Sequence, residues 1–221
     1  MKFVKPLLIL LIVLASCKQD HKPKETITNF TIAFGSCNNQ FAPNPFWNEI
    51  VKNNPDVWIW GGDIIYSDTE DMAILEQNYL TQKNKIKYAN FSKNIDILAT
   101  WDDHDYGLND GGIEYIKKEA SQQLFLDFIN VSKDDERRNQ EGVYFVKDYI
   151  VNNKTIKIIL LDTRYFRTAL TPDTESKKRY KPTISKGESM LGKVQWNWLE
   201  HQLLNSKASY NIIVKYSVFI I

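Results

Sequence analysis

Residues Ile95–Asp105 read IDILATWDDHD, and the chain continues YGLNDGG to Gly112. The first half is a short apolar run. The second half sets Asp102, Asp103, His104 and Asp105 side by side, with Asp110 close behind. An apolar run of this length that stops at polar and glycine-rich residues predicts a buried strand. Carboxylates delivered to the end of a buried strand repel one another in poor solvent. They remain ionised there only if they are paired, hydrogen-bonded or gathered around a cation. A histidine among them adds a metal donor and a proton carrier to the same place.

The same layout recurs on both sides of this segment. FTIAFGSC (Phe30–Cys37) and DVWIWGGDIIYSD (Asp56–Asp68) predict strands that run into a Gly-Ser-Cys turn and a glycine pair followed by Asp63. GVYFVKDYIVNNKTIKIILLDTRYFR (Gly142–Arg167) predicts a hairpin turning at VNNK, its second arm ending in Asp162 and Arg164. Between the strands lie helical patterns. PFWNEIVKNN (Pro45–Asn54) places Phe46, Trp47, Ile50 and Val51 on one side, and AILEQNYLTQKNKI runs from Ala73 to Ile86. IEYIKKEASQQLFLDFI (Ile113–Ile129) carries a stripe of Ile113, Ile116, Ala120, Leu124 and Phe128. GKVQWNWLEHQLLNS (Gly192–Ser206) shows Val194, Trp198 and Leu199 on one face, and YNIIVKYSVFII (Tyr210–Ile221) is a last strand. This βαβα alternation predicts a layered α/β fold with a largely parallel sheet, whose function gathers at the carboxyl ends of the strands. Cys37, Asp63, Asp102–Asp105 and Asp162–Arg164 each follow an apolar strand, so all four converge.

Each motif also has a plainer reading at this stage. GGDIIYSD alone is equally a strand-end turn with an aspartate cap. Cys37, if Cys17 is modified, has no disulfide partner, and is either a buried inert thiol or a metal ligand. The charge runs KDDERR (Lys133–Arg138) and ESKKRY (Glu175–Tyr180) read as solvated faces.

The 221 residues carry a net charge of +1, with 43% hydrophobic and 13% aromatic content. That suffices for one sizeable core, and near-neutral charge argues against a general nucleic-acid binder. Lys2 and Lys5 precede the apolar run PLLILLIVLA (Pro6–Ala15), then LASC (Leu14–Cys17). The pattern predicts a lipoprotein signal peptide at 1–16, lipidation of Cys17, a polar tether at 17–29 and a domain at 30–221. An ordinary signal peptide with an incidental cysteine is the alternative. The expected location is the bacterial cell envelope, anchored by lipid.

FGSC, GGDIIYSD, TWDDHDYGLND, LLDTRYFR and LGKVQWNWLE follow one another in the order seen in the PhoD-like alkaline phosphatase family. That family lies among the calcineurin-like, purple-acid-phosphatase-related metallophosphoesterases, and the resemblance extends from about Phe30 to Leu204. It implies a four-layer αββα sandwich with a divalent/trivalent metal cluster, Fe(III) with Ca(II) or another metal pair, at the strand ends. It also implies metal-dependent hydrolysis of phosphate mono- or diesters. Carried over, Asp63 bridges the metals, Cys37 and Tyr66 ligate the iron, and Asp103 ligates the second metal. His104 contacts the phosphate or assists the leaving group, with Asp102 and Asp105 in supporting positions. Arg164 is a further candidate phosphate contact, because a guanidinium fork matches phosphate oxygens. The sequence departs from the family in one respect. A motif resembling SGDxH, which completes the metal site near the family's C-terminus, is absent before Ile221. His201 lies on the QWNWLEHQLL helix and does not replace it. The expectation is therefore a sandwich incomplete at its C-terminus, with a non-catalytic lipoprotein domain of the same fold as the alternative to an enzyme.

Overall fold

The computed structural model describes residues 29–182, 187 and 189–216. The leader, Cys17 and the tether apart from Asn29 lie outside the described residues. Strand β1 (Ile32–Gly35), helix α1 (Trp47–Val51) and strand β2 (Val57–Trp60) open the fold. Helices α2 (Met72–Lys83) and α3 (Ile86–Ser92) then lead to β3 (Asp96–Ala99). The three strands pair in parallel in the order β1-β2-β3, with Gly35 level with Trp60 and Trp60 level with Ala99. Parallel neighbours need crossovers, which the helices supply.

A short helix α4 (Asp103–Tyr106) and the longer α5 (Lys118–Phe128) follow. Strands β4 (Phe145–Val151) and β5 (Lys154–Leu160) form the expected antiparallel hairpin. Its turn is Asn152-Asn153 with φ of 49° and 61°, the double left-handed conformation whose twist suits a two-residue hairpin. A small hairpin of β6 (Thr171–Pro172) and β7 (Tyr180–Lys181), helix α6 (Gly192–Leu204) and β8 (Tyr210–Val214) complete the described chain. Strand β8 pairs in parallel with β5, so the second sheet has the order β4-β5-β8.

The period-two alternation of the central strands sets the layers. In β2, Val57 and Ile59 join Leu98, Ile158 and Leu160 in a core between the two sheets. Trp58 and Trp60 point the other way, into a core shared with Trp47, Tyr88, Phe91 and Phe125 of the helices. Trp58 meets Trp47 and Trp60 edge-on at ring-centroid distances of 5.3 and 5.2 Å, contacts that add roughly 0.5–1.5 kcal/mol each beyond burial. In β5 the same alternation sends Ile158 and Leu160 inward and Ile159 outward, where it packs with Leu161 and Leu199 of α6. The result is helices, sheet, sheet, helix: the four layers expected. No helix among the described residues is long and apolar enough to cross a membrane.

Several local expectations are corrected. The helical run from Ala73 does not continue to Ile86; it stops at Asn84, and α3 begins as a separate helix. Ile113 and Ile116 are exposed and precede α5, whose buried face is Ser121, Gln122, Phe125, Leu126 and Phe128. The amide of Ile113 donates to the Arg167 carbonyl at 2.8 Å and Tyr115 Oη to that of Thr69 at 2.8 Å, so tertiary bonds hold this stretch in turns. Phe46, Val51 and Val194 are also exposed. On α6 Leu199 is buried as expected, and beside it so is Gln195, which exchanges hydrogen bonds of 2.8 and 2.7 Å with the backbone of Asp162.

Candidate metal centre

The carboxyl ends of β1, β2 and β3 lie side by side, and each ends in a backbone turn toward the others. Cys37 and Asn38 donate backbone hydrogen bonds to the carbonyls of Gly62 and Asp63, at 3.3 and 2.7 Å. The loops after β2 and β3 are fastened by Asp105. Its buried carboxylate accepts the amides of Asp63 (3.3 Å), Ile64 (3.0 Å) and Asp102 (2.7 Å). Asp105 thus caps α4 and sets the height of Asp63, the supporting position expected of it.

Left-handed backbone recurs here, and it is least expected at Cys37, since aspartate tolerates it much as asparagine does. Among the described residues, eight non-glycine residues have positive φ. Asn54, Asn130, Asn152 and Asn153 are asparagines, the residue type that tolerates this conformation best. The other four are Cys37, Asp63, Asp68 and Asp110, with φ of 57°, 51°, 42° and 54°, all around the strand ends. Such residues persist where surrounding structure over-determines them, and they cluster at functional sites.

Ligand atoms of Asp63, Asp103 and His104 lie within 4.8 Å of one another. Cys37 Sγ and Tyr66 Oη each approach Asp63 Oδ2, at 3.6 and 3.5 Å. Asp63 Oδ1 is buried and has no hydrogen-bond partner among the described residues. Burial pushes the Asp63 carboxyl up, and the charge of Asp103 adds to this. Burial opposes ionisation of Asp103 as well, yet the Asp110 amide at 2.8 Å and the Arg164 cation hold it below the usual carboxylate range. Burial and then Asp63 push the Tyr66 hydroxyl up. An orphaned carboxylate oxygen beside a second carboxylate, a thiol, a phenol and an imidazole fits a cation, whose charge inverts each of these penalties. The donor set is mixed: oxygen ligands suit hard cations, and the thiol suits a transition metal, with the imidazole beside them. Cys37 is exposed, which removes the alternative of a buried inert thiol.

His104 is fixed by residues that the motif alone does not single out. Its Nδ1 lies 2.7 Å from Asp68 Oδ2, and its ring stands 4.3 Å from the ring of Tyr66. The amide of Ser67 returns to the His104 carbonyl at 3.2 Å. Gln40 pairs with the backbone of Tyr66 on both sides, at 2.8 Å each, and so fixes the phenol. Asp68 lies within GGDIIYSD and Gln40 just past FGSC; their side-chain partners are distant in sequence and gave no local signal.

Arg164 arrives from the end of β5 and is buried. Its Nε and Nη2 lie 2.5 Å from Asp102 Oδ1, and Nη2 is 3.8 Å from Asp103 Oδ1. It therefore links the second sheet to the Asp102–Asp103 pair. Thr100 makes a parallel link, its hydroxyl donating to the Leu161 carbonyl at 2.7 Å. The four strand ends do converge.

Compared with known proteins, residues 76–220 match the PhoD-like phosphatase family. Asp103, His104 and Arg164 fall inside that stretch; Cys37, Asp63 and Tyr66 precede it. A solved structure of PhoD is similar to this chain with a TM-score of 0.63 at 18% sequence identity. The similarity covers 83% of this chain and 41% of that one, so this chain spans less than half the length of that relative. No curated protein matches.

Proposed function

The chain belongs to the PhoD-like phosphatase family, and from that premise we propose that its strand-end site hydrolyses phosphate esters in a metal-dependent reaction. The observation that carries the reading is the gathering of Asp63, Asp103 and His104 around the unpartnered Asp63 Oδ1. Asp63 and Asp103 would hold the metals, with Cys37 and Tyr66 completing the Asp63 side; Fe(III) with Ca(II) is the pair the family resemblance suggests. Bound metal supplies Lewis acidity that neutralises phosphoryl oxygens and makes an attacking water acidic.

The remaining steps belong to this chain's side chains. Asp68 holds Nδ1 of His104, which leaves Nε2 as the atom to hand a proton to the departing alkoxide. Tyr66 restricts the imidazole from one side. Arg164 was expected to meet a phosphoryl oxygen, but its Nε and Nη2 lie on Asp102 and its Nη1 faces the Gly111 carbonyl, so its role would be to hold the Asp102–Asp103 pair in place. The test is turnover of p-nitrophenyl phosphate and its bis-ester by metal-loaded protein. We expect activity that chelator removes. His104→Ala should keep bound metal and lose turnover by about 10²-fold or more. Absence of turnover with every metal supplied overturns the reading, and equal turnover in His104→Ala removes that residue from the reaction.

We further infer attachment to the cell envelope through a lipid on Cys17, which rests on the sequence Leu14–Cys17. Palmitate labelling that Cys17→Ala abolishes would support it, and labelling of neither protein would refute it.

A further inference from the structure

The hairpin of β6 and β7 plays no part in the reaction as derived, yet it is bonded to the site. Asp110 is the connection. Its amide donates to Asp103 Oδ2 at 2.8 Å, while its own Oδ2 receives Arg179 Nη1 at 2.7 Å and Tyr180 Oη at 3.0 Å. Arg167 donates to the Asp110 carbonyl. Arg179 therefore stands two hydrogen bonds from a carboxylate assigned to the metal.

The hairpin is also unevenly charged. Between Thr171 and Lys181 it carries Lys177, Lys178, Arg179 and Lys181 against Asp173 and Glu175. Asp173 is used within its own turn, accepting the amides of Glu175 and Ser176 at 2.9 and 3.0 Å and the Ser176 hydroxyl. Glu175 faces Lys181 at 3.5 Å. Lys177 and Lys178 have no ion-pair partner among the described residues, and the Arg179 side chain is 64% exposed despite its bond to Asp110. A tip that only keeps the protein soluble needs no bond to the partner of a metal-holding carboxylate.

We propose that this hairpin is an anion-binding arm, which selects phosphate esters carrying a second negatively charged group away from the scissile phosphate. The scissile group lies at Asp63, Asp103 and His104, and the distal anion meets Arg179, Lys177 and Lys178. Asp110 is the positioning residue that keeps arm and site at a set separation. The inference rests on the phosphate-ester reading above, but its test does not need turnover.

Adenosine 5′-monophosphate and adenosine 3′,5′-bisphosphate are titrated calorimetrically into metal-loaded full chain. The bisphosphate should bind about tenfold more tightly, the sum expected of a few partly exposed ion pairs. Replacing the three cations together (K177A, K178A, R179A) should bring the ratio of the two affinities close to one. Arg179→Lys alone should retain most of the preference. Equal affinities in the unaltered chain, or a preference that survives the triple replacement, overturn the proposal. A preference present in a chain that turns over no ester sinks the phosphoesterase reading and leaves the arm standing.

Discussion

Gly62 shows how tightly single residues constrain this site. Its φ is +110°, and a Cβ there would lie 2.8 Å from both the Cβ and the amide nitrogen of Asp102. The loops after β2 and β3 can approach this closely only if one of them lacks a side chain. Gly62→Ala should destabilise the fold by about 1–3 kcal/mol, read as a lowered thermal midpoint, and should reduce metal content by displacing Asp63. An unchanged midpoint and full metal content would show that the loops can separate without cost. At this scale the sequence exposes the donors but not their partners. Asp63, Asp103 and His104 are legible because charge next to an apolar strand demands an explanation. Asp68 and Asp110 are aspartates too, but they lie in loops where an aspartate is ordinary. Only folding brings Asp68 to His104, or places the Asp110 amide on Asp103.

Among elements, hairpins and turns were the most legible, because their signals are local. The β4–β5 turn follows directly from VNNK. Its second residue, Asn153, has φ of 61°, where glycine carries no side-chain strain. Asn153→Ala should lower stability by about 1 kcal/mol in thermal melts, because alanine is strained in the left-handed region that asparagine tolerates; an unchanged midpoint would contradict this. The run KDDERR, expected as a solvated face, folds partly inward. Arg138 donates to the Val131 carbonyl at 2.6 Å and pairs with Asp127 at 2.8 Å, because the turn Glu136–Arg138 follows α5 closely. In the same turn Asp135 is held at about 2 by the hydrogen bonds from Arg137. Its pKa is lower than in the unfolded chain, so its stabilisation is complete above about pH 4 and disappears as pH falls towards 2. The pair is partly exposed and contributes less than about 1 kcal/mol. Asp135→Asn should therefore melt lower than the unaltered chain at pH 6 and level with it near pH 2. A constant difference across that range would contradict the assignment. Helix faces were less legible. Leu124, Phe128, Trp198 and Leu199 pack inward as their stripes predict, but Ile113 and Val194 do not, because hydrophobic spacing cannot register that a turn is pinned elsewhere, or that a buried glutamine closes a backbone bond.

For the whole molecule, the site is held at the junction of two sheets. Thr100 and Arg164 bridge between them, so cation binding and global stability are coupled. A metal bound only by the folded chain stabilises it by about 2.7 kcal/mol at a concentration of one hundred times its dissociation constant. Adding metal should raise the thermal midpoint, chelator should reverse the rise, and Asp63→Asn should abolish most of it. A rise of equal size in Asp63→Asn would place the cation elsewhere.

Taken alone, the sequence determined the strand order of chemistry: which apolar runs end in which donors, and that these ends share one edge. That much follows from period and polarity, which are local properties of the chain. Tertiary structure decided the rest: the stacking of two sheets through alternate faces of VWIW, the left-handed turns at Cys37, Asp63, Asp68 and Asp110, and the bonds that link a charged hairpin to Asp103. Those features join residues tens of positions apart. Their energies come from burial and from hydrogen bonds completed only in the folded state, and no local pattern encodes them.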